Sequence, residues 1–134
     1  MRVVTMGEMM IHLMPKNYLR LEQATEFEAH YGGDESIVAV SLAKFGMDAC
    51  YVTKLSDNPL GLTARNKLRE QGVDTSHIVF GGERLGLNFY ENGASVRASN
   101  VVYDRKYSAI SQALRTRKRI LRWMTRSWSN ADPI

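Results

Sequence analysis

The segment Gly32-Gly33-Asp34-Glu35-Ser36-Ile37-Val38-Ala39-Val40-Ser41-Leu42-Ala43-Lys44-Phe45-Gly46 sets a glycine pair directly before a helical pattern. Val38, Leu42 and Phe45 fall at i, i+4 and i+7, and Gly46 stands where a left-handed C′ residue ends a helix. Upstream, Arg2, Val3, Val4, Thr5 and Met6 have the composition of a buried strand running into Gly7-Glu8, and residues 9–14 extend it. Residues 15–31 read as irregular or short-strand structure. Downstream, residues 49–54 form a β-type run. Asp57 or Asn58 caps a second helix with Pro59 in its first turn, Leu60, Ala64 and Leu68 line its face, and Gly72 ends it. Residues 78–80 make a short strand and Gly81-Gly82 a turn. Residues 86–91 and 95–104 pair around Asn92-Gly93, a strong hairpin signal. Strand, helix, strand, helix, strand implies a parallel α/β sheet with right-handed crossovers. The hairpin breaks that alternation and is placed in an accessory sheet or lid.

Composition bounds the function. At 134 residues and 44% hydrophobic the chain supports one globular core and not two domains. No apolar run nears the ~18 residues of a membrane helix. Glu8 and His12 interrupt the apolar N-terminal residues, so no secretory signal is visible and a cytoplasmic location is expected. One cysteine, Cys50, excludes an intrachain disulfide. The net charge of +4 is uneven: residues 113–134 carry +5, with both tryptophans, and the preceding residues carry −1. That shift marks a boundary between residues 1–112 and a basic tail, 113–134.

Few residues point to chemistry by themselves. Gly32-Gly33 before a helix lets a ligand approach the backbone and free N–H groups, and equally makes a tight turn. Tyr103 and Arg105 share a strand face, where a phenol and a guanidinium fork suit a hydroxylated acid; a solvated strand face is the other reading. Gly81 and Gly86 have phosphate-loop spacing without the following Lys-Ser/Thr, which leaves a turn. His12, His30 and His77 show no ligand spacing, so no metal is expected. Cys50 and the methionines Met6, Met9, Met10 and Met14 read as packing. No catalytic set can be assembled. The Arg-rich tail, with Trp123, is the one feature suited to nucleic acid, but its amphipathic pattern is partial and balancing acids are lacking.

Taken in order, Gly7-Glu8, the Gly32 to Gly46 segment, Asp57 to Gly61, Gly72-Val73-Asp74, Val102-Tyr103-Asp104-Arg105 and Ser108-Ala109 resemble the ribokinase-like (PfkB) carbohydrate kinases. Gly33 to Leu42 and Tyr103-Asp104-Arg105 are most similar to 2-keto-3-deoxygluconate kinases. The resemblance covers about residues 2–112. It implies a Rossmann-type parallel sheet, here partial, with a small β-lid built from residues near 12–31 and 86–105 that closes over the sugar and often forms a dimer contact. It also implies that Gly32, Gly33 and Asp34 meet sugar hydroxyls, that Asn88 stands in the lid, and that Tyr103 and Arg105 hold the acid end.

Three positions depart from the family pattern. Ile37 replaces an Asn that hydrogen-bonds the sugar, Asp34 replaces a small residue, and Asn88 replaces a lid tyrosine. Family members are more than twice as long, and their Gly-Ala-Gly-Asp segment, whose Asp takes the proton from the sugar hydroxyl, is absent from this sequence. ATP and magnesium serve the full-length family and are not expected to bind this chain well. No residue present is nominated as catalytic. The expectation is therefore the sugar-binding part of a sugar-acid kinase, truncated and inactive alone, with a tail that an out-of-frame reading of a longer gene would produce. The alternatives are a non-catalytic fragment that binds sugar or pairs through the lid and, behind it, nucleic-acid binding through the tail.

Overall fold

A computed structural model describes residues 2–113, which form a parallel layer made of two two-stranded sheets and a second, four-stranded sheet that meets it near residues 7–9. β1 (Arg2–Met6) pairs in parallel with β4 (Asp48–Val52), Val4 opposite Cys50 and Met6 opposite Val52. A parallel bridge from Cys50 to Asp74 carries the ladder on. β5 (Lys54–Leu55) then pairs with β6 (Val79–Phe80), also in parallel. The second sheet has the order β3-β2-β7-β8. Its strands are β2 (Met10–Pro15), β3 (Phe27–Gly32), β7 (Gly86–Glu91) and β8 (Asn100–Asp104). β2 and β7 are parallel and the outer pairs antiparallel. This is the α/β arrangement with a β-lid that the sequence predicts. The lid's base joins the core: Ile11 lies in one buried cluster with Met9, Ala39, Tyr51, Leu55 and Leu68. No described helix is long and apolar enough to cross a membrane.

Several boundaries differ from the sequence reading. Residues 9–14 do not extend β1. Gly7 N–H still donates to Val52 O at 3.3 Å, and the chain then turns to start β2 in the other sheet, which buries Met9, Met10 and Ile11 between the two. Residues 27–32, expected to be irregular or short-strand, form the full edge strand β3. The reversal between β7 and β8 falls at Ala94–Arg97, with Ser95 at φ 54°, rather than at Asn92-Gly93, so β8 starts at Asn100 instead of residue 95. Met6, read as packing, is half-exposed.

The helices form where expected; the first turns a different face inward, and the second keeps Ala64 and Leu68 inward but not Leu60. α1 (Asp34–Lys44) buries Ser36 and Ala39 against β1 and β4, while Val38 is half-exposed and Phe45 82% exposed. Small residues allow the close helix–sheet approach that Val38 and Phe45 would prevent. Gly46 ends α1 at φ +78° as predicted. In α2 (Pro59–Glu70), Asn58 is the cap, accepting from the N–H groups of Leu60 and Gly61 at 3.1 Å each. Ala64 and Leu68 are buried, but Gly61 takes the inward place expected for Leu60, because any side chain there would overlap the Ser56 carbonyl. α3 (Ala109–Ala113) closes the described part. The rest of the basic tail lies outside the described residues.

Among the described residues β1 pairs with β4 alone, and Val4 and Met6 are about half exposed on the same face of β1. A parallel strand is ordinarily covered on both faces and paired on both edges. The chain is therefore expected to self-associate, each of these side chains contributing about 1 kcal/mol. Sedimentation should show association that falls in Val4→Lys and Met6→Lys, and a sharp, concentration-independent melt from a monomer would overturn this.

Candidate functional site on the polar face of the lid

Strand register brings a row of polar side chains together. His30 faces His12 across β3–β2, His12 faces Asn88 across β2–β7, and Asn88 faces Tyr103 across β7–β8. Because side chains alternate along a strand, all four lie on one face of the lid, with Gly32 and Gly86 at its base. The opposite face carries Phe27 and Phe89, whose rings meet edge to face at 5.9 Å, and Val102. Asn88 is 5% exposed, and among the described residues its Oδ1 has no hydrogen-bond partner. Leaving such an acceptor dry costs about 1–3 kcal/mol.

Glu8 stands where this face meets the core. Its side chain is 9% exposed, and both oxygens are engaged: Oε2 accepts from Arg105 Nε at 2.6 Å and Oε1 from Ser108 Oγ at 2.7 Å. Arg105 is half exposed, and among the described residues its Nη1 and Nη2 have no partner. A Cβ on Gly33 would overlap the Glu8 carbonyl oxygen, so glycine there is a packing requirement. The Gly33 carbonyl is itself taken by Ile37 N–H at 2.9 Å and Ser36 Oγ at 2.8 Å, which leaves its N–H as the group to offer a ligand. Asp34 and Glu35 begin α1, where acids suit the helix dipole and oppose an anion. Ile37 is 60% exposed. It lines an apolar cleft of about 300 Å³ with Met9, Tyr31, Val40 and Leu68, which Asn88, Tyr103 and Arg105 do not touch.

Of the residues singled out in the sequence, Gly32, Asn88, Tyr103 and Arg105 therefore share one face of the lid, Gly33 abuts Glu8, and Asp34 points to solvent at the helix start. Glu8 and Ser108 enter the sequence reading only within the Gly7-Glu8 and Ser108-Ala109 motifs, and His12 and His30 only as histidines without ligand spacing; none of the four is a site residue there. Cys50, Asp74 and His77 place ligand atoms within 4.8 Å of one another, which the spacing of the histidines does not reveal. Arg2 already supplies a cation there, pairing with Asp74, and burial pushes the Cys50 thiol up. Beneath Glu8, burial foremost and then the negative charges of Glu35 and Glu8 push the Tyr51 phenol up, so it stays protonated.

Arg84 fixes the direction of β8. Its guanidinium grips Asp104 with Nη1–Oδ1 at 3.0 Å and Nη2–Oδ2 at 2.7 Å and also donates to the Asp104 carbonyl at 2.9 Å. Asp104 is thereby held on the face opposite Tyr103 and Arg105.

Comparison with known proteins agrees with this fold. The family model of pfkB family carbohydrate kinase matches residues 1–118, a little beyond Gln112. A 2-dehydro-3-deoxygalactonokinase of Haloferax volcanii is 38% identical over 111 residues, covering 83% of this chain and 35% of that protein. The crystal structure of 2-dehydro-3-deoxygluconokinase from Thermotoga maritima is 52% identical with a TM-score of 0.82, covering 84% of this chain and 35% of that one. A sugar kinase from Pyrococcus horikoshii in complex with ATP is 25% identical with a TM-score of 0.71, covering 81% and 35%. The chain thus spans about a third of the length of the relatives it matches.

The Arg84 hydrogen bonds hold the Asp104 carboxyl below its ordinary range. A carboxyl group lowered on folding stabilises above its unfolded pKa, and that contribution is lost as pH falls through the folded value. Protection of the amides of residues 101–105, taken relative to their intrinsic exchange at each pH, is expected to be constant at neutral pH and to fall as pH drops below about 4. Asp104→Asn should already show low protection at pH 7 and lose that acid dependence; unchanged protection in the variant would show that the clamp does not order β8.

Proposed function

This chain belongs to the pfkB family of carbohydrate kinases, and on that premise we propose that its lid carries the acid-binding side of a site for 2-keto-3-deoxygluconate or a closely related sugar acid. The observation that carries the reading is Arg105, anchored through Nε with Nη1 and Nη2 uncommitted among the described residues, beside Tyr103 on the polar face. A guanidinium edge binds a carboxylate through two parallel hydrogen bonds, a group that neutral sugars lack. Tyr103 and the orphaned Oδ1 of Asn88 meet hydroxyls, and Gly32 and Gly33 bring backbone to the sugar.

Phosphoryl transfer is positioning and electrostatics around a triphosphate, which ATP and magnesium supply when bound. The described residues do not fit that group. α1 opens on Asp34 and Glu35, and the first free N–H groups of α2 are already capped by Asn58. Transfer thus rests on parts of the kinase outside these residues, and the basic tail, 113–134, is assigned no part in the site. A second reading, pairing with a full-length kinase through the lid, is favoured by Val102 and Phe27, partly exposed on the lid's apolar face.

Calorimetry is expected to show 2-keto-3-deoxygluconate binding this chain and fructose binding far more weakly. Arg105→Ala should weaken the acid on the order of tenfold and leave fructose unchanged. Equal affinity for the two sugars, or an unaffected Arg105→Ala, would overturn the reading. A coupled assay with ATP is expected to show no turnover. Translation of the encoding DNA in the other frames from the Gln112 codon should recover a Gly-Ala-Gly-Asp segment; its absence from every frame would argue for the binding-only alternative.

A further inference from the structure

We propose that Glu8 is the positioning residue of this site, the group that fixes where Arg105 stands relative to the Gly32-Gly33 turn. The inference rests on the sugar-acid reading above for its ligand, but not for its geometry. Glu8 lies in the short crossing between β1 and β2, where the chain leaves the parallel sheet for the lid. Its main chain seats Gly33, because the Glu8 carbonyl occupies the space a Cβ would need. Its carboxylate, 9% exposed, reaches the other way to Arg105 Nε at 2.6 Å and Ser108 Oγ at 2.7 Å. Gly86, at the base of β7, is kept free of a side chain by the same Oε1. One residue therefore touches the start of α1, the base of the lid's central strand and the segment beyond β8.

A carboxylate beside a proposed acid site looks at first like a competitor. Which edge of the guanidinium it takes decides the matter. Glu8 holds Arg105 through Nε, so the Nη1/Nη2 edge remains for a second carboxylate. The side chain of Arg105 is long and half exposed, and without an anchor it would sample many rotamers, an entropy cost that binding would then have to meet. A buried carboxylate with both oxygens engaged removes that freedom in advance. The two roles predict opposite signs. Removing a mere competitor would tighten an acid, whereas removing an anchor weakens it.

The test uses the full chain and two independent readouts. In the Nε–H region of the ¹⁵N spectrum, Arg105 in the native chain should show a signal protected from exchange, lost in Glu8→Gln and in Glu8→Ala while the dispersed backbone amides remain. An Arg105 Nε–H exchanging as fast as free arginine in the native chain would overturn the inference whether or not any sugar binds. Calorimetry with 2-keto-3-deoxygluconate should then show Glu8→Ala weakened on the order of tenfold, with little further loss when it is combined with Arg105→Ala. Tighter acid binding in Glu8→Gln would show a competitor and overturn the inference. Ser108→Ala, which leaves the Arg105 contact in place, should keep the protected signal and guards against reading a folding defect as lost positioning. If the native chain shows the protected signal but binds no acid, the sugar-acid reading fails and the anchoring geometry stands.

Discussion

The ion pair between Glu8 and Arg105 joins residues 97 apart in sequence, and Glu8 to Ser108 spans 100. A lid whose strands come from both sides of α1 and α2 is tied to its sheet by few groups, so the geometry of the whole polar face follows from these contacts. A buried carboxylate is tolerable only when its charge is met and its lone pairs filled. Glu8 satisfies both conditions only if residues 105–108 fold back onto residues 7–9. The cost of leaving that carboxylate unpaired therefore works as a constraint on topology. The Arg84–Asp104 clamp acts from the other side of β8, so the strand is held from both faces at its C-terminal end.

The lid's far end is secured in the same way. Glu91, 6% exposed, accepts from Leu21 N–H at 3.2 Å and lies 3.5 Å from Arg97 Nε. Arg97 donates in turn to the Tyr18 carbonyl at 2.6 Å and the Asn92 carbonyl at 3.0 Å. Residues 16–23, which form short 3-10 turns with Asn17 and Tyr18 at positive φ, are thereby stitched to the reversal after β7. Gly93 is required there because a side chain would press on the backbone of Arg97 and Ser99. The lid is thus a sheet with a polar anchor at each end and an apolar face between.

Local signals in the sequence carried the elements and lost their faces. Cap and terminator residues act over one turn, so a cap at Asp57 or Asn58 and ends at Gly46 and Gly72 could be placed without tertiary structure. The inward face of α1 could not. Ile37, Val38, Ala39, Val40, Leu42, Ala43 and Phe45 spread apolar character around the helix, and the choice between faces depends on how closely α1 approaches β1 and β4. Residues 9–14 are apolar enough to continue β1, and only the second sheet, assembled from residues far downstream, explains why they do not. The site was legible to the same degree. Tyr103 and Arg105 follow from strand alternation, but the His30, His12, Asn88 and Tyr103 row exists only through three separate pairings, one of them a parallel pairing of β2 with β7 that no local pattern encodes.

The departures at Ile37 and Asn88 change where hydrogen bonds to a sugar would come from. Isoleucine at the start of α1 offers none and extends the apolar cleft instead, so the helix contributes shape and the Gly33 N–H. Asn88 does the reverse. Its Oδ1 is buried and unpartnered, a state that costs the free protein about 1–3 kcal/mol, and a ligand hydroxyl donating to it would remove that penalty. His12, directly opposite Asn88, extends the same polar surface toward β3. On the proposed reading, the balance of recognition shifts from the helix toward the lid. Lid-borne recognition would suit an acid better than a helix start carrying Asp34 and Glu35, whose charges oppose the carboxylate that the proposal assigns to Arg105.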